Sequence, residues 1–238
     1  MKKREYSARY ALYIIGLYIL GFALALIIRT SLGTSPISSW AYVMSKNTAW
    51  TVGTYTFIIN VSMILIQCLV LHKHGLKGQL VNIALQIPFS FVFAQFIDFN
   101  MQLLGWILPQ DAMSYPFQLA LLIAGCFIQA LGVFCEVKAG VSMMSAEALV
   151  NYICVRWRKE FGKIKVRFDV TLVLLAIMFS IGFALRDGRT ITDGILSAVR
   201  EGTIIAALAV GHIVRWYDKI WSNINHNLKT KSSNVNHN

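Results

Sequence analysis

The stretch LGTSPISS at residues 32–39 interrupts the first long apolar run of the chain and decides how we interpret the rest. A second stretch, AGVSMMSA at 139–146, repeats its pattern of a glycine followed by small hydroxyl residues. Inside a membrane, irregular backbone is tolerated only where it is buried in protein or lines a polar cavity. We therefore interpret the two stretches as the walls of one site. The aligned pairs are Gly33 with Gly140, Ser35 with Ser142, and Ser38 with Ser145.

The composition is that of an integral membrane protein. Hydrophobic residues make up 56% of the 238 residues and charged residues 14%, whereas a soluble domain has about 25% charged residues. The net charge of +11 suits basic cytoplasmic loops better than nucleic-acid binding, because it accompanies a strongly hydrophobic sequence. We therefore expect a lipid bilayer as partner and no nucleic acid.

Six segments have the length of about 20 apolar residues that a helix needs to cross a bilayer. They lie at about 10–28, 52–71, 79–99, 116–136, 168–185 and 202–217. Two other stretches, 35–44 and 142–155, are too short to span and suit re-entrant or interfacial helices. The predicted fold is an all-α membrane protein with six transmembrane helices and two short helices. The first segment lacks a clear cleavage site, so we expect it to be retained as a helix.

The distribution of Lys and Arg predicts the orientation. With the N-terminus inside and neither short stretch crossing, only five of the 22 Lys and Arg residues lie outside. Cytoplasmic loops carry an excess of these residues, so we expect both termini in the cytoplasm. The five outer residues are Arg29, Lys46, Arg186, Arg189 and Arg200.

The two halves of the chain share one order of elements: a helix, a glycine turn, a short helix and two further helices. In this alignment Asn60 corresponds to Asp169. A duplicated unit with three crossings is inserted upside down in its second copy, as in many transporters. We predict two inverted repeats, 1–111 and 112–221, and a disordered tail, 222–238. The alternative is that the small residues only allow close helix packing.

Residues of the two turns form the predicted substrate site. Thr34-Ser35-Pro36 has the hydroxyl residue and proline typical of a helix start. The free N–H groups and positive end of such a helix attract an anion or a carbonyl oxygen. Alternatively, the hydroxyl groups cap helices that lie on the membrane surface. The predicted binding residues are Gly33, Thr34, Ser35, Ser38, Gly140, Ser142, Ser145 and Glu147.

Ionisable residues near the apolar segments are candidates for gating or ion coupling, because a charge in the bilayer costs about 2.5–3.5 kcal/mol on insertion scales. Glu147, in an otherwise apolar short stretch, is the first choice for this role. Asp169 has a simpler alternative role in a salt bridge with Arg167 or Lys165. Arg29 can instead extend to the membrane surface. The predicted gating or coupling residues are Arg29, Asn60, Glu136, Asp169, Arg200 and Glu201.

Two polar residues lie on one face of the third helix. Asn82 and Gln86 are four positions apart in an otherwise apolar segment. They line a cavity or form hydrogen bonds to a neighbouring helix, and the sequence leaves both interpretations open.

No feature of the sequence points to an enzyme, a metal site or a cofactor. The four cysteines stand singly in apolar stretches, which is typical of buried thiols rather than of disulfides or metal ligands. No nucleophile with a neighbouring base and no phosphate-binding loop is recognisable. We predict no enzymatic activity and no cofactor. The cysteines are Cys68, Cys126, Cys135 and Cys154.

The sequence resembles the YczE/YyaS/YitT group of bacterial multi-pass inner-membrane proteins over about 8–218. The likeness rests on the two glycine turns and on the stretch EGTII at 201–205 with Gly211. The resemblance implies a location in the bacterial cytoplasmic membrane but no substrate or catalytic residue. His212 departs from the pattern, because a proline follows this glycine in the group.

These observations predict a membrane transporter or channel for a small polar or anionic solute, bound mid-membrane at the N-termini of the two short helices. A homo-oligomer is compatible with the sequence. The alternative is a non-transporting membrane protein that assists or regulates a partner complex, with the two turns serving only helix packing.

Overall fold

Eight α-helices make up the part of the chain that the structure describes. The computed structural model gives the backbone of residues 2–108 and 113–235, and the side chains of these residues except 2–4, 72–77 and 224–235. This part contains no β-strand. The helices are α1 (Lys2–Arg29), α2 (Pro36–Asn47), α3 (Val52–Ile107), α4 (Tyr115–Ala139), α5 (Ser145–Trp157), α6 (Phe161–Arg186), α7 (Ile191–Ala198) and α8 (Glu201–Val235).

Six helical segments are long and apolar enough to cross a membrane, which confirms the predicted all-α, multi-pass membrane protein. Each corresponds to one of the segments expected from the sequence. α2 and α5 are the two predicted short helices. The six segments are Glu5–Arg29, Val52–Leu71, Gly78–Ile107, Tyr115–Ala139, Phe161–Arg186 and Ile191–Asn223.

Helix α3 contains two membrane segments that run in opposite directions. A straight helix of its 56 residues would be about 84 Å long, yet the hydroxyl of Thr51 donates to Asp98 Oδ2 at 2.6 Å. Gly53 N–H donates to Asp98 Oδ1 at 2.8 Å. The chain therefore reverses between Leu71 and Gly78, and α3 has a first arm, Val52–Leu71, and a second arm, Gly78–Ile107.

The central contact of the fold is the antiparallel packing of α1 against α4. Gly16 and Gly132 face each other, and a Cβ added at Gly16 would lie 3.2 Å from the Gly132 carbonyl oxygen. Near the other end of α1, Ile27 lies against Gly125. Small residues allow helix backbones to approach this closely.

The remaining helices pack in matching pairs around this centre. α1 packs against the second arm of α3, and α4 packs against α8. Likewise, α2 packs against α6, and α5 packs against the first arm of α3. Exchanging the first half of the chain for the second converts each pairing into another pairing of the same fold.

The sixth membrane segment is broken, which the sequence analysis did not predict. α7 ends at Ala198 and α8 begins at Glu201. Ser197 lies beside Ser180, with the two hydroxyl oxygens 2.6 Å apart, and Ser180 is about 9 Å from the end of α6 along the helix axis. α7 therefore descends along α6, and α8 starts inside the span. A visible signal was available, since Thr190 and Asp193 form a capping box.

Two further boundaries differ from the expectation. α5 begins at Ser145 with Met144 at its N-cap, three residues after the predicted start at 142. α8 continues to Val235, where a disordered tail from 222 was expected; residues 236–238 of that tail lie outside the described part. Low hydropathy shows that a segment need not be buried, but it does not exclude a helix.

Candidate functional site

Both short helices begin beside the middle of the first arm of α3. Ile37, the second residue of α2, packs on a cluster that contains Met63 and Ala146. Met63 is eleven residues from the start of the first arm, or about 17 Å along its axis. At the start of α5, the Ser145 hydroxyl donates to Asn60 Oδ1 at 2.7 Å. The N-terminal ends of α2 and α5 therefore lie at one level, halfway through the spans.

From this level the two short helices run to opposite ends of the bundle. Thr48, just after α2, has its hydroxyl 2.8 Å from that of Tyr55, near the start of the first arm. In α5, the Tyr152 hydroxyl donates to Gln79 Oε1 at 3.3 Å, near the start of the second arm. The geometry brings two positive helix ends into the membrane interior, where their field is poorly screened.

A buried polar network supports the start of α5. Gln67 Nε2 donates to the Ser145 carbonyl oxygen at 2.9 Å and to Gln86 Oε1 at 2.8 Å. Gln86 Nε2 donates back to Gln67 Oε1 at 3.1 Å. Of the two interpretations left open for Gln86, the interhelical hydrogen bond is correct; Asn82 instead donates to Gln79 on its own helix. The sequence analysis missed Gln67, whose side-chain amide joins the first arm of α3 to the second arm and to α5.

Three predicted site residues carry buried polar atoms without a hydrogen-bond partner among the described residues. The atoms are the Nε of Arg29, the hydroxyl oxygen of Thr34 and the amide nitrogen of Asn60. Of these residues, Thr34 is fully buried and Asn60 is 3% exposed. The large majority of buried side-chain polar atoms in proteins have a hydrogen-bond partner. Such groups are candidates for direct contact with a bound polar molecule.

The serines of the first turn bond mainly to one another. The Ser35 hydroxyl donates to Ser38 Oγ at 3.0 Å, and the Ser39 hydroxyl donates to the Ser35 carbonyl oxygen at 3.0 Å. Ser35 is the N-cap residue of α2 but makes no side-chain cap. All three serines are buried, so the N-terminal end of α2 is polar but is not accessible to solvent.

The direct partner of the first turn is the start of α8. Thr34 N–H donates to Thr203 Oγ1 at 3.2 Å, and Gly202 N–H donates to the Leu32 carbonyl oxygen at 2.8 Å. Gly33 has φ +130°, and a Cβ added there would lie 2.6 Å from Thr203 Oγ1. The first turn therefore packs against the start of α8, directly after the break in the sixth segment.

In the second turn, Gly140 and Ser142 lie outside the buried network. Gly140 ends α4 in the left-handed conformation and is exposed. The Ser142 hydroxyl donates to the Met143 carbonyl oxygen at 3.3 Å. Of Gly140, Ser142 and Ser145, only Ser145 lies at the middle of the spans, where it contacts Asn60.

Glu136 fixes the second turn from the last part of α4. Its Oε1 accepts the N–H of Met144, the N-cap residue of α5, at 3.0 Å. The side chain is 9% exposed. Glu136 therefore lies at the site's edge, bound to the backbone that precedes α5.

Two further predicted acids of the second half, Glu147 and Asp169, share one base. Lys165 Nζ lies 2.7 Å from Asp169 Oδ1 and 3.9 Å from Glu147 Oε1. The salt bridge offered as the simpler role of Asp169 is confirmed. Glu147 lies in the first turn of α5 with its side chain 40% exposed, beside the buried network rather than in it.

Three of the predicted gating or coupling residues, Arg29, Arg200 and Glu201, lie near the first turn. Arg29 Nη2 donates to the Met101 carbonyl oxygen at 2.8 Å, a contact that holds its head group within the bundle. Arg200 lies at the break, where Nη1 donates to the Ser31 carbonyl oxygen at 2.7 Å. Glu201 pairs with Arg200 at 3.8 Å. These residues brace the turn from its outer side and make no contact with Asn60 or Ser145.

The described residues form neither a candidate metal site nor a disulfide. Among the described residues, no three or more His, Cys, Asp and Glu side chains are grouped so that they could hold a metal ion. All four cysteines are free. The buried thiols of Cys126 and Cys154 agree with the interpretation from the sequence.

A comparison with protein-family models places the chain. The model described as a family of unknown function, DUF6198, matches residues 7–219. The chain belongs to the DUF6198 family. Searches of curated proteins and of solved structures find no match. The DUF6198 region includes both glycine turns and every residue of the buried network, but it provides no link to the YczE/YyaS/YitT group, so that resemblance stays a prediction.

Proposed function

We propose that this chain is a membrane transporter or channel for a small polar or anionic solute, rather than an enzyme. The observation that carries the proposal is the pair of buried, unpartnered polar atoms on Thr34 and Asn60, beside the starts of α2 and α5. Polar groups that lack a partner in the interior of a membrane protein are costly, which makes these two candidates for contact with a solute. Half-helices whose positive ends meet at mid-membrane are a recurring way to bind a solute.

In this proposal the structure represents a closed state. Thr34 and Ser145 are fully buried, so a solute enters only when neighbouring elements move. The break between α7 and α8 supplies a point of movement, since two residues there are not helical. Opening at the break exposes the first turn and the hydroxyl of Thr34.

Uptake into liposomes tests the site. Solutes that raise the melting temperature of the purified protein are selected first and are then used as cargo. Thr34→Val and Asn60→Leu are each expected to reduce uptake about tenfold, because one hydrogen bond in a site contributes about 1–1.5 kcal/mol. Both variants remove an unpartnered polar atom, and Thr34→Val keeps the side-chain shape.

Thr171→Val is the matched control. Its hydroxyl is exposed and donates only to the Arg167 carbonyl oxygen of its own helix, so uptake should equal that of the wild type. Unchanged uptake by folded Thr34→Val and Asn60→Leu proteins would contradict the proposed site.

We further propose that the two halves are inverted repeats in a bacterial cytoplasmic membrane, with both termini in the cytoplasm. The matching helix pairs and the antiparallel α1 and α4 support the repeat. The positive-inside distribution supports the orientation. In intact cells, a membrane-impermeant thiol reagent should label Lys46→Cys and spare Lys163→Cys, and the reversed pattern would contradict this topology. The background for both is a chain without its four native cysteines.

The second candidate function is that of a non-transporting membrane protein that assists a partner complex. The close seating of the first turn on α8, where Gly33 leaves no room for a Cβ, favours it. If no solute stabilises the protein or enters liposomes, while the two turns tolerate no substitution, this function is supported.

A further inference from the structure

A cleft of about 610 Å³ lies between the C-terminal ends of α2 and α6 and the helix α7. It is separate from the buried network at the starts of α2 and α5. Three basic side chains line it, from α2, α6 and the following loop: Lys46, Arg186 and Arg189. Thr48 and Ser197 add hydroxyl groups.

One carboxylate organises the two guanidinium groups. Arg186 Nε lies 3.1 Å from Asp187 Oδ1, and Arg189 Nη2 lies 2.9 Å from Asp187 Oδ2. These hydrogen bonds, first from Arg186 and then from Arg189, hold the pKa of Asp187 below its usual range. Asp187 is therefore ionised at neutral pH, and the charged residues of the lining sum to two positive charges.

The position of these bases is unusual for the side of the membrane on which we place them. Membrane proteins concentrate Lys and Arg on the cytoplasmic side, and the proposed topology leaves five on the outer side. Three of those five line this one cleft. Most of the few positive charges on this side are therefore concentrated in one cleft, an arrangement that attracts anions.

The cleft also approaches the buried site along α7. Ser197 lines the cleft and lies within 2.6 Å of Ser180 in α6. Three residues later, Arg200 donates to the Ser31 carbonyl oxygen of the first turn. One helix and the break after it therefore connect the cleft with the turn that carries Thr34.

We propose that the cleft is an outer vestibule that binds the anionic group of a small solute, a carboxylate or a phosphate. This inference rests on the proposed function, because it names the substrate class and the entry point of the same pathway. Lys46, Arg186 and Arg189 bind the anion by charge, and the exposed guanidinium groups remain accessible from solution. Movement at the break then admits the solute to the first turn.

Titration calorimetry with phosphate and with succinate tests the vestibule. The protein is held in nanodiscs of phosphatidylcholine alone, so that no anionic headgroup competes. The wild type should bind at least one of the two anions, with an affinity that falls as salt is added. The double variant Lys46→Gln/Arg189→Gln should bind about fivefold more weakly, as expected for the loss of two partly exposed charges.

The control double variant is Lys159→Gln/Lys163→Gln, which removes the same charge from the loop before α6 and from its first turn, and it should bind like the wild type. No anion binding by the wild type, or equal losses in both double variants, overturns the vestibule. A second set of nanodiscs contains phosphatidylglycerol. If this lipid abolishes binding of the soluble anions, the cleft is a headgroup site and the vestibule is likewise overturned.

The same variants separate this inference from the transport proposal. Anion uptake that is insensitive to Lys46→Gln/Arg189→Gln leaves transport standing and removes the vestibule. Anion binding at the cleft without uptake of any solute, anionic or neutral, removes transport and the vestibule with it, and leaves only a surface anion site.

Discussion

Replacing Gly33 with alanine is expected to lower the free energy of unfolding by about 3 kcal/mol. The backbone there has φ +130°, a conformation that costs a non-glycine residue about 1–3 kcal/mol. In addition, the new Cβ would lie 2.6 Å from Thr203 Oγ1 and 2.8 Å from the Thr203 backbone nitrogen, an overpacking that costs about 1–3 kcal/mol. Thermal unfolding of the purified protein should show a decrease of roughly 6–12 °C in the melting temperature.

The other glycine turn supplies the control. Gly140 has φ +59°, and a Cβ added there meets no atom within 4 Å. Gly140→Ala therefore carries only the backbone cost, about 1 kcal/mol. Removing the Thr203 side chain should not rescue Gly33→Ala, because the backbone nitrogen still blocks the Cβ. Equal melting temperatures for the two alanine variants would show that the first turn is not seated on α8 as described.

Replacing Gln67 with leucine is expected to destabilise the protein by about 2–3 kcal/mol. Gln67 is fully buried and donates to both the Ser145 carbonyl oxygen and Gln86 Oε1. Leucine fills a similar volume, but it leaves Gln86 Oε1 and Nε2 without the partners that Gln67 supplies, and each buried polar group without a partner costs about 1–3 kcal/mol. Chemical or thermal unfolding in detergent measures the change.

A double variant distinguishes the loss of hydrogen bonds from a change in packing. In Gln67→Leu/Gln86→Leu, both partners of the amide pair are apolar, so part of the stability should return. Asn82→Leu, one turn from Gln86 on the exposed surface of the second arm, should stay within about 0.5 kcal/mol of the wild type. A double variant less stable than the sum of its single variants would refute the amide pair as the cause.

The sequence was sufficient for the membrane segments because bilayer thickness imposes a length that hydropathy reveals directly. It failed at α7 for a related reason. The segment 191–198 is eight residues long, too short to register as a span, and the apolar run 202–217, the shortest of the six, was interpreted as the complete span. The break at Val199 and Arg200 arises from contacts with α6 and with the first turn, and these are tertiary contacts that no local pattern encodes.

The candidate site was predictable in its members but not in its contacts. Thr34, Asn60 and Ser145 were all expected, since polar residues in apolar segments stand out. The repeat alignment made Asn60 equivalent to Asp169 but predicted no contact for either, and the hydrogen bond that Asn60 accepts from Ser145 appears only in the fold. The pairing of Gln67 with Gln86 follows from the reversal of α3, which fixes the register between the two arms. Sequence periodicity gives the face of a helix but not this register.

The seat of the first turn has a consequence for how the chain is made. The N–H of Thr34 finds its acceptor on Thr203, and the carbonyl oxygen of Leu32 finds its donor on Gly202. The first turn is synthesised early and its partners about 170 residues later, and N-terminal segments of a nascent chain generally fold first. The first turn therefore lacks its hydrogen-bond partners until α8 has been inserted, so the fold is completed by a contact between the first and the last membrane segments.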